Sequence, residues 1–218
     1  MNKALPLVTM AALLLPLTAG VAAAQDATPA LARAGVVNAL VTCDGGRCEG
    51  TDEADTIVGN NATQLVLGFR GDDDIELDAV FTSGSSDTGF GGEGRDCIDG
   101  GAGNDLMVGG PGDDNRPCEF TAFVDPQAAL TGGPGDDRIE GGPGNDTMNG
   151  IFDDDLLIGG PGDDLLRDGS PADKDRHVGG PGNDTIDARD GDGGDVVDGG
   201  HGKDTCSGDP GDSFLNCE

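Results

Sequence analysis

The chain has no tryptophan, no tyrosine and seven phenylalanines, and it sets only twelve lysines and arginines against 42 acidic residues in a length of 218. Low hydrophobicity with a large charge of one sign is the composition of chains that cannot fold on apolar burial alone. The 41 glycines raise the entropy lost on ordering still further. A formal net charge of −30 repels polyanions, so nucleic acid is excluded as a partner. Something cationic has to neutralise the acid before such a chain becomes compact.

Long apolar runs are equally scarce. The one example, Ala4–Leu17, follows Lys3 and precedes Ala22-Ala23-Ala24, the small-residue pattern of a cleaved export signal, so the mature chain is expected to begin near Gln25. That run is short for a membrane span and no second one follows, which implies no transmembrane segment in the mature chain. Residues 1–24 are therefore read as a signal peptide and the protein as secreted, extracellular and disulfide-permissive. Its six cysteines allow fifteen pairings. Locality favours Cys43 with Cys48, Cys97 with Cys118, and Cys206 with Cys217.

What the chain does have is a repeat. Gly-Gly-x-Gly-x-Asp occurs eight times, starting at Gly91, Gly100, Gly109, Gly132, Gly141, Gly159, Gly179 and Gly199. Taking the aspartate as position 6, seventeen nine-residue blocks run from Gly50 to Asn216, with short insertions at Leu77–Phe81, Cys118–Ala122, Asp168-Gly169 and Ala188-Arg189. Position 6 is Asp55, Asp73, Asp87, Asp96, Asp105, Asp114, Asp137, Asp146, Asp155, Asp164, Asp175, Asp184, Asp195 and Asp204, the exceptions being Gln64, Ala128 and Ser213. Position 8 is mostly aliphatic, as at Ile57, Val66, Ile75, Ile98, Met107, Ile139, Met148, Leu157, Leu166, Ile186, Val197 and Leu215. Gly89, Arg116 and His177 break it.

One apolar residue per nine suits a strand of about three residues whose middle side chain points inward. The glycine-rich stretch between strands then makes the turn. Two blocks give a coil of eighteen residues, and coils stack at a strand spacing of about 4.8 Å. That stacking places Asp55, Asp73, Asp96, Asp114, Asp137, Asp155, Asp175 and Asp195 in one row. Asp87, Asp105, Asp146, Asp164, Asp184 and Asp204 form the other, with gaps at Gln64 and Ala128. Neighbouring carboxylates in a row repel by about 1 kcal/mol in water and about 3 to 4 kcal/mol at an effective dielectric near 20. Repeated along both rows, this exceeds the usual stability of a domain.

In the residues from Gly50 onward the chain resembles the RTX, or haemolysin-type, calcium-binding nonapeptide-repeat proteins, whose pattern is G-G-x-G-x-D-x-U-x. The resemblance implies an all-β fold, a right-handed parallel β-roll, and several calcium ions held between stacked turns by aspartate carboxylates and turn carbonyls. Carried onto this sequence, the metal-binding positions are Gly91, Gly92, Gly94 and Asp96; Gly100, Gly103 and Asp105; Gly109, Gly112 and Asp114; Gly132, Gly135 and Asp137; and Gly141, Gly144 and Asp146. They continue through Asp155; Gly159, Gly162 and Asp164; Asp175; Gly179, Gly182 and Asp184; Asp195; and Gly199, Gly202 and Asp204. Calcium accepts six to eight oxygens in irregular geometry, whereas magnesium demands a near-octahedral site and keeps its water.

Other motifs carry less. Asp190-Gly191-Asp192 fails as an EF-hand loop, because Asp195 stands where that loop needs glycine and His201 where it needs glutamate. Ser213 has no domain behind it to supply a catalytic site. The expected organisation is a capping segment over residues 25–49, in which Ala34–Val41 covers the first coil, followed by repeats over 50–218. A non-repeat segment of 25 residues is too short for a catalytic domain, so the protein is expected not to be an enzyme. The function implied is calcium-dependent folding outside the cell in a structural or adhesive role at the cell surface or matrix. The alternative is a stabilising accessory of a separate secreted hydrolase.

Overall fold

A computed structural model describes residues 40–78, 84–118, 127–171 and 173–218. The expected export signal, the capping segment before Leu40, and parts of the insertions after Glu76 and after Cys118 lie outside those residues. The described residues form a solenoid of two nine-stranded parallel sheets. One sheet holds Leu40–Thr42, Thr56–Val58, Asp74–Glu76, Cys97–Asp99, Leu130–Pro134, Thr147–Phe152, Leu165–Arg167, Thr185–Ala188 and Thr205–Gly208. The second holds the strands between them in sequence: Gly46–Glu49, Gln64–Arg70, Thr88–Glu93, Leu106–Val108, Arg138–Glu140, Leu156–Ile158, Arg176–Pro181, Val196–His201 and Ser213–Leu215. Every strand pairs with the strands one coil before and after it, so the chain alternates between sheets and climbs one step per two repeats. The parallel β-roll and the eighteen-residue coil read from the repeat are the fold.

Each three-residue strand sends its middle side chain inward, and the two sheets meet through a core one residue deep. Ile57, Ile75, Ile98, Leu130, Met148, Leu166 and Ile186 face Val66, Met107, Ile139, Leu157 and Val197, all fully buried. Gly89 leaves a gap in this stack, and Leu77, from the first insertion, fills it: a Cβ on Gly89 would meet Leu77 at 3.2 Å. His177 occupies an inward position between Leu157 and Val197 and is likewise fully buried. At the turns, backbone stacks directly on backbone. A Cβ on Gly112, where φ is +157°, would lie 1.5 Å from the Gly94 carbonyl oxygen, which is why only glycine serves there. The Gly112 N–H donates in turn to the Pro143 carbonyl of the following coil at 2.8 Å.

Two features differ from the reading of the repeat. Blocks 109 and 123 are one half-coil, not two: Asp114 takes the turn, Leu130 takes the strand, and Leu130 pairs with both Ile98 and Met148. Everything between is inserted. Arg116 therefore does not point into the core. Its guanidinium reaches back outside the coil, to Asp74 Oδ1 at 2.5 Å and to the Asp73 carbonyl at 2.7 Å. Ala128 is not at an aspartate position at all. In the last coil the register is one residue earlier than expected, since Val197 pairs with Phe214. Leu215, expected inward, pairs instead with the outward-facing Asp198 and is 52% exposed.

Three disulfides join Cys43 to Cys48, Cys97 to Cys118 and Cys206 to Cys217, with Cα separations of 5.8, 5.3 and 5.9 Å. They are the pairs that locality favoured. They fasten the first coil, the start of the long insertion and the last coil.

Candidate metal centre

The aspartate that ends each glycine turn does two things with its two oxygens. Oδ1 accepts the backbone N–H of the aspartate one coil earlier, as from Asp146 to Asp164 at 2.9 Å and from Asp137 to Asp155 at 2.8 Å. Oδ2 has no hydrogen-bond partner in Asp73, Asp96, Asp105, Asp114, Asp137, Asp146, Asp155, Asp164, Asp175, Asp184, Asp195 or Asp204, and none of these residues is more than 3% exposed. A buried carboxylate oxygen without a donor is costly. A dozen of them in register need one common explanation.

The glycine at the first position of each repeat shows where those oxygens point. A Cβ added to Gly159 would lie 2.3 Å from Asp164 Oδ2 and 2.7 Å from the carbonyl oxygen of Gly179, one coil on. The same pair of oxygens converges at Gly100, Gly109, Gly132, Gly141, Gly179 and Gly199, with the next coil's carbonyl 2.5 to 2.8 Å away. Absence of a side chain thus leaves a small cradle between coils, lined by a carboxylate and a carbonyl and holding no donor of the protein's own. Hard oxygen donors converging on one space are the ligand set of calcium. The residues fit that ion.

The ladder also fixes which aspartates share a row, and it corrects the assignment beyond Asp114. Asp55, Asp73, Asp96 and Asp114 continue into Asp146, Asp164, Asp184 and Asp204. Gln64, Asp87 and Asp105 continue into Asp137, Asp155, Asp175 and Asp195. Merging blocks 109 and 123 removes one half-coil and so exchanges the two rows from that point onward.

Without a cation, burial drives the carboxyls in the middle of both rows towards the protonated form. Burial pushes Asp137, Asp146 and Asp175 up to about 8 and Asp105, Asp114 and Asp164 to about 7 from 3.8, and like-charged neighbours in the rows add to the effect. Asp155 goes furthest, to about 10, with Asp137, Asp168 and Asp175 as its charged neighbours.

Some participants were not legible. Asp212, not Ser213, closes the last turn: its Oδ1 accepts the N–H groups of Gly194 and Asp195. Asp168, which the repeat spacing places in an insertion, is buried beside Asp155 and Asp175. Gln64 does not leave a gap in its row. Its amide nitrogen donates to the carbonyls of Leu77 at 2.9 Å and Asn60 at 2.5 Å, and its side-chain nitrogen and oxygen fill the Gly59 cradle.

The RTX calcium-binding nonapeptide repeat matches the chain in four copies, over residues 81–115, 131–166, 172–192 and 178–215. These cover more than half of the sequence. The chain belongs to the RTX calcium-binding nonapeptide-repeat family. No curated protein and no solved structure matches it. The RTX matches flank the long insertion rather than cross it, and they leave out the first coils, where Gln64 stands in place of an aspartate.

Proposed function

We propose that this RTX protein binds several calcium ions between successive coils, folds as it does so, and serves outside the cell as a structural or adhesive element of the surface or matrix, without catalytic activity of its own. The observation carrying this reading is the register of twelve donor-free Oδ2 atoms, eight of them aimed with a turn carbonyl into a glycine cradle. Calcium, when bound, supplies the positive charge that these oxygens lack. The chain's own part is to hold the geometry. The Oδ1 ladder orients each carboxylate, the glycine turns bring the next carbonyl within reach, and the one-residue core keeps the coils in step.

Calcium outside cells is abundant enough for modules that bind at about 10⁻⁴ to 10⁻³ M, so coupling folding to binding would delay folding until after export. The three disulfides accord with an oxidising compartment. The non-catalytic part of the reading is supported by the surroundings of the obvious nucleophile and base. His177 is sealed in the core, and Ser213 lies in the edge strand that pairs with Val196–His201.

Fractionation of the producing cells tests the proposal. The chain should appear in the surface or matrix fraction with its cysteines oxidised, and a chelator should release or unfold it. Recovery from the medium in calcium with one stoichiometric hydrolase would replace the adhesive role by the accessory one. A cytoplasmic chain with reduced cysteines would contradict both.

A further inference from the structure

One cradle differs from the rest. At the first position of a repeat the backbone N–H of glycine bonds to the carbonyl of the third strand residue of the next coil, as Gly141 does to Ile158 and Gly159 to Val178. Asp168 makes that bond to Asp187, so it occupies a place that glycine holds in the regular repeats. Its side chain enters the space that glycine leaves open. A Cβ on Gly150, one coil earlier, would meet Asp155 Oδ2 at 2.1 Å and Asp168 Oδ2 at 2.3 Å. At Gly132, Gly141 and Gly159 the second oxygen is a neutral carbonyl. Here it is a carboxylate.

Carboxylate oxygens of Asp155, Asp168 and Asp175 all lie within 4.8 Å of one another. The three residues are 3%, 6% and 2% exposed, and Oδ2 of each has no hydrogen-bond partner. The other oxygen of each is committed elsewhere. Asp155 Oδ1 takes the Asp137 N–H, Asp175 Oδ1 takes the Asp155 N–H, and Asp168 Oδ1 takes the N–H of Gly169 at 2.6 Å. The carboxylates are therefore held in place with one oxygen apiece turned into a common pocket, where the charged Asp168 oxygen stands in place of the neutral carbonyl of a repeat cradle.

We infer that Asp155, Asp168 and Asp175 form a distinct three-carboxylate calcium site, tighter than the repeat sites and the first to fill. Affinity of oxygen-ligand sites for calcium rises with the number of anionic ligands and with the rigidity of the site, and this one exceeds its neighbours in the first and matches them in the second. The site joins the coil of Gly150 to the coil of Asp175 where the two extra residues interrupt the turn. Filling it first would pin the solenoid at its irregular point, with the regular coils on either side completing afterwards. This rests on the calcium reading above, and the test separates the two.

Calcium titration of the purified chain against a competing chromophoric chelator should show one ion per chain binding at least roughly tenfold more tightly than the others. Asp168→Asn should remove that step and leave the later ones, whereas Asp184→Asn should weaken a later step and keep the first. Asp168→Gly restores the glycine of the regular repeat, so it should fold in saturating calcium and also lack the tight step. Uniform affinity in the parent, or a tight step that survives both Asp168 substitutions, would overturn the inference while leaving calcium-dependent folding intact. Absence of calcium uptake by the parent would overturn the calcium reading itself. Should neither Asp168 variant fold, the presence or absence of a separate tight step in the parent decides.

Discussion

The cradle beside Gly59 and the cradle beside Gly159 have the same backbone and opposite chemistry. At Gly59 the amide of Gln64 fills the space and donates to the Leu77 carbonyl, so the protein satisfies that oxygen with its own hydrogen. At Gly159 the Gly179 carbonyl accepts the Gly160 N–H, but the Oδ2 of Asp164 beside it has no donor. Glutamine brings its own donor and leaves one neutral oxygen, Oε1, without a partner, whereas aspartate leaves a charged oxygen for a cation. In the first coils Thr51 likewise donates to Asp55 Oδ2, while Asp73 Oδ2 at the Gly68 cradle has no donor, so these coils, fastened also by Cys43–Cys48, are expected to depend on calcium less than the regular stretch from Gly132 to Asp204.

The largest effect that separates the two regions comes from the turns. A Cβ on Gly144 would lie 1.4 Å from the Gly112 carbonyl oxygen, and φ there is +149°. Gly144→Ala is expected to destabilise the calcium-loaded regular stretch by more than about 3 kcal/mol, whereas Gly46→Ala, with nothing within 4 Å, should cost far less despite its φ of +79°. Calcium-dependent circular dichroism melts of both variants provide the comparison; equal losses would contradict direct backbone stacking as the constraint.

A second contrast lies between the rows. Asp146 and Asp164 are consecutive rungs of one ladder, while Asp155 belongs to the other. In calcium titrations the double variant Asp146→Ala with Asp164→Ala should lose less than the sum of the single losses, with a coupling of about 0.5 to 3 kcal/mol. Asp146→Ala with Asp155→Ala should be nearer additive. Stronger coupling across the rows than along one would refute the two-row arrangement.

Acid should blur the difference between the regions. In the folded, metal-free chain burial raises Asp114 to about 7 and Asp137, Asp146 and Asp175 to about 8 from 3.8, so this fold holds more protons than the unfolded chain across that window. Its stability is then fully present below about pH 4 and is lost as pH rises through about 7 to 8. His177, lowered by burial to about 4 from 6.5, opposes this on the acid side, but it is a single group. In chelator, β structure should be greater at pH 5 than at pH 8, and calcium affinity should rise with pH over the same range. β content in chelator that increased with pH would carry the wrong sign.

The smallest expected change converts one cradle type into the other. Gln64→Glu should add one calcium ion per chain and make the first coils sensitive to chelator, measured as binding stoichiometry. An unchanged stoichiometry would show that the residue at this position does not decide occupancy.

How much of this was legible follows from the repeat itself. A buried aliphatic once in nine residues and an aspartate two places before it are strong signals, and they located the strands, the turns and the two-block coil. The long insertion escapes the repeat reading because Gly109–Asp114 is a turn not followed directly by its strand, and Leu130–Pro134 is a strand not preceded directly by its turn; each looks like a whole block with one defect. In the last coil Asp212 and Ser213 are adjacent, and only the pairing of Val197 with Phe214 selects the aspartate. Asp168 escaped because it sits at a glycine position, and placing it in an insertion kept every later aspartate in register. Chain spacing records which residue follows which, but a solenoid rung is defined by what lies one coil away.

Hydrogen–deuterium exchange of the purified chain, in chelator and in millimolar calcium, tests most directly the claim that cations between the aspartate rows complete the fold. The strands from Leu130 to Gly208 are expected to exchange freely in chelator at neutral pH and to become protected on adding calcium, with a smaller change in the coils before Asp78. Equal protection of Leu130–Gly208 in both conditions would contradict the account.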